Sequence, residues 1–290
     1  MTNVIINPMR SFLFVPGNRA DRFEKARISG ADIYCIDLED SVPKTGKAKA
    51  RKNTIEYINM VAAKYKNDAL LYIRINGLST LEGIKDLLAL AENAADGSLP
   101  DGIVLPMASS AIEVQQLLAV LGAPEGLVIM PLIESPLGIA NLTEILNASP
   151  SVKCVGFGIA DYTAITGSDM SWDSLLFARS RIIETASMHA VHCLDGPWFD
   201  TQNSEGLAVE VRSIAQLGFG GKMAIHPSQI EIIHRAIYPS ESKIQWAKEI
   251  VKEWHKEEEG VLSINGIMID KPLFQQAERI LVRAERGLTN

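Results

Sequence analysis

Two carboxylates stand where folding alone gives little reason for them. Glu134 closes the apolar run VIMPLI, residues 128–133, and Asp161 follows the glycine-containing run VGFGIA, residues 155–160. Each marks the step from a strand-type run to a helical pattern, and Ser135-Pro136 suit an N-cap and a first helical turn. Carboxylates on the ends of two consecutive strands, with no histidine or cysteine beside them, favour a hard cation such as Mg²⁺. That ion takes one or two protein carboxylates and completes its octahedron with water and substrate oxygens. Neighbouring strands lie roughly 4.8 Å apart, so the two groups could share one ion. The structural alternative is that each carboxylate caps the helix that follows it, and spacing leaves both readings open.

Arg74 lies inside another apolar run, LLYIRI. A buried guanidinium without an anion costs on the order of several kcal/mol, so a partner is required. Asp37, Glu39 and Asp40, in the preceding DLED segment, are the structural candidates. An extended strand end puts Asp37 and Glu39 on one side and Asp40 on the other. A substrate carboxylate or a developing oxyanion is the functional candidate, held by the guanidinium fork. A cation and an arginine together suit a 2-oxo or 2-hydroxy acid, and support aldol- or Claisen-type bond making and breaking. Lys153 and Lys222 precede their strands, which places them on the opposite face and disfavours an imine mechanism.

These side chains need strands to carry them. Eight β-rich runs alternate with helical patterns: 11–15, 33–38, 70–75, 102–105, 128–133, 152–159, 191–194 and 223–226. Helical periodicity fills intervals such as 80–95 and 111–121. Eight such repeats predict a closed (β/α)8 barrel of α/β class, whose chemistry sits at the C-terminal strand ends. No GxGxxG follows the first run, which disfavours a dinucleotide-binding sheet. The predicted barrel domain spans residues 1–238. Residues 239–290 form a C-terminal extension: a helix at 241–258 anchored by Trp246 and Trp254, a hairpin at Asn265-Gly266, and a last helix at 272–286. Such a helix–hairpin–helix arm reads as a lid or an oligomer contact.

The totals narrow the class. In 290 residues, 47% hydrophobic and 22% charged, the chain has the composition of a globular protein, and its net charge of −7 argues against a nucleic-acid surface. Cys35, Cys154 and Cys193 sit singly in apolar runs and read as buried thiols. Neither a signal-peptide layout nor a membrane-length apolar run is present, so a cytoplasmic protein is expected.

The segments RSFLFVPGNR, DLEDSVP, RINGL, LPM, IESPLGI, GIADYTA, LLFARSRI, GKMAIHPSQI and INGIMID together resemble the citrate lyase beta subunit (citryl-CoA lyase) family of the HpcH/HpaI aldolase superfamily. The resemblance runs in register from about Arg10 to Gly287. It implies a (β/α)8 barrel, Mg²⁺, a homotrimer or homohexamer, and reversible cleavage of a 3-hydroxyacyl thioester to an acetyl thioester and a 2-oxo acid. Glu134 and Asp161 match the family's metal carboxylates, and Arg74 its substrate-carboxylate and oxyanion ligand. Asp37 and Glu39 match the acidic pair around that arginine, while Asp270 matches an aspartate that completes a neighbouring protomer's site as acid/base. One departure stands out: Ile267 occupies a position that is basic in the family and could hold CoA phosphates, so an acyl-carrier thioester is a second possibility. His226, where relatives vary, reads as structural. The rival expectations are a stand-alone citramalyl-CoA or malyl-CoA lyase or thioesterase, and a subunit that needs other lyase subunits and acts as a scaffold or ligand-binding module.

Overall fold

The computed structural model describes residues 9–64, 69–95, 97–255, 262–264 and 266–288. Eight short strands pair in parallel: β1 (Ser11–Pro16), β2 (Ile33–Asp37), β3 (Leu70–Arg74), β4 (Gly102–Leu105), β5 (Val128–Ile133), β6 (Cys154–Phe157), β7 (His192–Asp195) and β8 (Gly221–Ala224). They form a closed barrel in sequence order, sealed where Ser11 to Leu13 of β1 meet Lys222 to Ala224 of β8. Strands covered on both faces should read as nearly continuous apolar runs, and β1 to β6 do, while β7 and β8 carry His192, Asp195 and Lys222. Alternation still decides where each side chain goes. Phe12, Ile33, Cys35, Tyr72, Val104, Met130, Leu132, Cys154, Leu194 and Met223 gather into one buried cluster that fills the barrel. Residues of the same parity reach the C-terminal mouth: Asp37 after 33 and 35, Arg74 after 70 and 72, Glu134 after 130 and 132.

The helices are α1 (Phe23–Arg27), α2 (Lys47–Lys64), α3 (Leu81–Ala95), α4 (Ala111–Leu121), α5 (Pro136–Ala140), α6 (Leu142–Leu146), α7 (Ile159–Thr166), α8 (Trp172–His189), α9 (Ser204–Leu217), α10 (Gln229–Ile237), α11 (Glu241–Trp254) and α12 (Lys271–Leu288). No helix among the described residues is long and apolar enough to cross a membrane. Ser135 caps α5 by accepting from Gly138 N at 3.0 Å, with Pro136 in the first turn. All three cysteines are buried free thiols.

Six of the eight strands begin or end one or two residues from expectation, and at β6 and β8 the difference moves a charged residue. β6 ends at Phe157, so Asp161 lies in the first turn of α7, where a carboxylate suits the helix dipole. β8 begins at Gly221, so Lys222 lies within the strand rather than before it. Its parity opposes that of Met223, and its Nζ turns to the helix layer. There it donates to Asp195 Oδ2 (2.7 Å), Glu210 Oε1 (2.6 Å) and Gly196 O (2.6 Å). Arg179 of α8 joins this cluster, bound twice to Asp195 at 2.9 and 3.1 Å and stacked on Trp172. Two cations thus meet two carboxylates where β7 and β8 are overlaid by α8 and α9. Asp195 belongs to this buried cluster.

The chain divides into two compact units, Met1–Ile233 and His234–Asn290, the division falling inside α10. The second unit has its own small core of Ala247, Ile250, Ile269 and Ala277, against which Trp246 and Trp254 pack. Its two-stranded sheet pairs β9 (Leu262–Ile264) with β10 (Ile267–Ile269) in antiparallel register. Ile264 pairs with Ile267, and Gly266 has φ 78°, in the left-handed region that glycine adopts freely. Asn265 and the expected helical residues 256–258 lie outside the described residues.

Candidate active site

At the end of β3, Arg74 is gripped by three carboxylates. Asp37 takes Nε at 2.7 Å and Nη2 at 2.8 Å as a bidentate pair, while Nη1 reaches Glu39 at 3.1 Å and Asp40 at 3.3 Å. The chain turns sharply after β2, so Asp40 joins the same side as Asp37 and Glu39, contrary to the alternation expected of an extended segment. The turn is built on Asp37 itself, which accepts from Glu39 N (2.8 Å) and Ser41 N (3.0 Å). Asn76 fastens the β3 loop to it through Nδ2 to Leu38 O at 2.9 Å, and Phe14 lies beneath the guanidinium. Burial opposes the charge on Asp37, yet Arg74 holds its carboxyl below the ordinary value.

Glu134, at the end of β5, is 3% exposed. It does not cap α5, since Ser135 does. Instead its Oε2 accepts from Met107 N at 2.6 Å. Asp161 is exposed, two residues into α7 from its first residue, Ile159. Glu134, Asp161, Arg74, Asp40 and Glu39 act on one another electrostatically. Burial raises the Glu134 carboxyl to about 7, and Asp161 and Asp40 add to the rise. Glu39 rises to about 8, through burial first and then through Asp40, Glu134 and Asp37. Asp161 is raised too, by burial and by Asp40.

Five carboxylates therefore gather around one guanidinium, and three of them, Glu39, Glu134 and Asp161, are raised above their ordinary values. Such a site lacks positive charge, and its donor set is all oxygen, which fits a hard divalent cation. Among the described residues, no three His, Cys, Asp or Glu side chains are gathered to enclose an ion. Glu134 and Asp161 would supply two oxygens and leave the remaining positions to water and substrate.

The structure thus brings Arg74, Asp37, Glu39, Glu134 and Asp161 to one barrel mouth. Asp270 belongs to the C-terminal unit, where it is exposed at the start of α12 and accepts from Leu273 N at 3.2 Å. His226 is exposed after β8, its Nδ1 2.7 Å from Ser228 Oγ. Asp40, a candidate partner of Arg74 that strand alternation set on the opposite side, binds it from the same side as Asp37 and Glu39. No side-chain signal in the sequence marks the Met107 amide or Gly158, which act through backbone.

A parallel eightfold barrel whose mouth gathers carboxylates and one caged arginine defines a class: barrel enzymes acting on small organic anions with a divalent cation. The family described as HpcH/HpaI aldolase/citrate lyase matches residues 10–227, and the chain belongs to it. The chain is similar to the L-malyl-CoA/beta-methylmalyl-CoA lyase of Cereibacter sphaeroides, at 33% identity over 96% of this chain and 95% of that one. It is similar to the citrate lyase subunit beta of Escherichia coli K12, at 33% identity over 95% and 93%. Among solved structures, CitE of Mycobacterium tuberculosis in complex with magnesium, acetoacetate and coenzyme A superposes with a TM-score of 0.81, at 31% identity over 97% and 99%.

Proposed function

We propose that the chain is a cytoplasmic, Mg²⁺-dependent carbon–carbon lyase. It cleaves a 3-hydroxyacyl thioester of the citryl-CoA type to an acetyl thioester and a 2-oxo acid such as oxaloacetate. The observation that carries this reading is the buried surplus of carboxylate around Arg74, which calls for a cation beside an anion-binding guanidinium. Relatives that cleave malyl-CoA and citrate agree with it, as does a relative holding magnesium, acetoacetate and coenzyme A.

Mg²⁺ held by Glu134 and Asp161 supplies Lewis acidity toward the substrate's carboxylate and the neighbouring oxygen. Asp37 fixes Arg74 so that its Nη1 edge faces the reacting anion. Asp40, exposed and bound there at 3.3 Å, is the contact a substrate carboxylate displaces. As a general base takes the hydroxyl proton, the O–H electron pair forms the new carbonyl, the carbon–carbon bond breaks and its electron pair passes to the acetyl thioester as an enolate. The other fragment keeps the new carbonyl as the 2-oxo acid. Arg74 stabilises the negative charge as it develops. Asp270 of a neighbouring protomer, in a homotrimer or homohexamer, protonates the enolate carbon.

A second reading, a stand-alone citramalyl-CoA or malyl-CoA lyase, is favoured by the equal 33% identity to malyl-CoA and citrate lyase relatives. Ile267, half exposed on β10, offers no charge to CoA phosphates, which favours a carrier-bound thioester supplied by other lyase subunits. Turnover of citryl-CoA, citramalyl-CoA and malyl-CoA, with Mg²⁺ and with EDTA, tests these readings. One thioester should be cleaved with Mg²⁺ alone, and Asp161→Ala should abolish cleavage. Cleavage that persists in EDTA and in the variant would overturn the metal assignment.

A further inference from the structure

Glu134 is confined from two sides by backbone features on different strands. Beyond β4, Met107 donates to its Oε2 while holding φ at 51°, a left-handed conformation that few non-glycine residues adopt. The next amide, Ala108 N, is bound to Leu132 O at 3.0 Å. Two successive amides are thus committed to β5 and the residue that follows it, and the chain meets both commitments by turning through Met107. Strained backbone of this kind persists where its surroundings over-determine it. Beyond β6, Gly158 has φ −85° and ψ 89°, which put no left-handed demand on the residue. Space explains the glycine instead: a Cβ there would overlap Glu134 Oε1 and Cγ and lie 2.7 Å from Cδ. Gly158 is also the N-cap of α7, the helix that carries Asp161, and its own amide is tied to Ile133 O at 3.0 Å.

We propose that the Met107 amide and the Cβ-free face of Gly158 are positioning elements for the cation site. They hold Glu134 in one orientation, with Oε2 engaged and Oε1 left as the ligand oxygen. The inference rests on the reading of Glu134 and Asp161 as cation ligands. A ligand held this way loses little freedom on binding, and partners of metal ligands are commonly worth about 10–100-fold in affinity.

Mn²⁺ binding to the purified full chain, followed by electron paramagnetic resonance of the free ion, tests this without turnover. Gly158→Ala should push the carboxylate aside, and Met107→Pro should remove the donor and forbid the left-handed φ. Each should weaken Mn²⁺ binding by about 10–100-fold. Met107→Val keeps the amide but crowds the turn, and should lose affinity in the same direction as a milder third variant. In the double variant Gly158→Ala/Glu134→Asp the shorter carboxylate retreats from the new methyl, and part of the affinity should return. Glu134→Gln should abolish tight binding. If Glu134→Gln binds Mn²⁺ like the parent, the cation reading fails and this inference with it. If Glu134→Gln loses the ion while the Gly158 and Met107 variants bind like the parent, the cation reading survives and the positioning role is overturned.

Discussion

Glu134 and Glu39 hold the clearest chemical tension in the molecule, since both resist the charge that a cation site needs. Their carboxyls are raised from 4.5 to about 7 and about 8, by burial first and by neighbouring carboxylates second. For acids raised in the folded state, the native protein binds more protons than the unfolded chain between the ordinary and shifted values. Stability of the cation-free protein from these groups is therefore full below about 4.5 and falls as pH rises toward about 8. A bound divalent cation offsets the burial cost and the repulsion that together cause the fall. The rise in melting temperature on adding Mg²⁺ should accordingly be small at pH 6 and clearly larger at pH 8, and Glu134→Gln should flatten that difference. Thermal unfolding at the two pH values with and without Mg²⁺ decides it; an equal increment at both would contradict the assignment.

At the scale of elements, the barrel is held to its helices on one side by the cluster of Arg179, Asp195, Lys222 and Glu210. Asp195 and Lys222 are fully buried; Asp195 binds both cations, and Glu210 supplies the second negative charge. Removing one partner of a buried pair strands the other's charge, at a cost of about 3–5 kcal/mol. Asp195→Ala should lose that much stability, seen as a lower denaturant midpoint at unchanged slope; a loss below about 1 kcal/mol would show that the cations find other partners. The same cluster shows why parts of the fold were hard to read. Gly221 and Lys222 look like a loop before a strand, because glycine and lysine are poor strand formers; only the hidden carboxylates make Lys222 at home in β8. By contrast, Ile33-Cys35-Asp37, Leu70-Tyr72-Arg74 and Met130-Leu132-Glu134 each continue an interior-facing series to the mouth. Their shared parity makes the core of the site legible in sequence. Asp195 adjoins the interior-facing Leu194, and the same rule sends it outward. Met107 and Gly158 escaped notice because one contributes an amide and the other an absence.

For the whole molecule, the decisive question is whether a site is completed by the chain that bears Arg74 or by its neighbour. Asp270 sits in the C-terminal unit, exposed, and the hydrogen bond from Leu273 N is a capping role that Ser or Asn could fill equally well. A carboxylate is chemically required there only if it exchanges a proton. In a closed ring of identical chains each interface repeats, so an arm that completes the next protomer's site does so all round the ring. Arg74→Ala and Asp270→Ala should each be inactive alone. Co-assembled in equal amounts, a site is intact when its barrel comes from the Asp270→Ala chain and its arm from the Arg74→Ala chain. With random assembly that is one half times one half, about a quarter of the sites. Recovery of about a quarter of parental turnover in co-expressed, doubly tagged oligomers is the expected result. No recovery in oligomers shown to contain both chains would confine Asp270 to its own chain or remove it from the reaction.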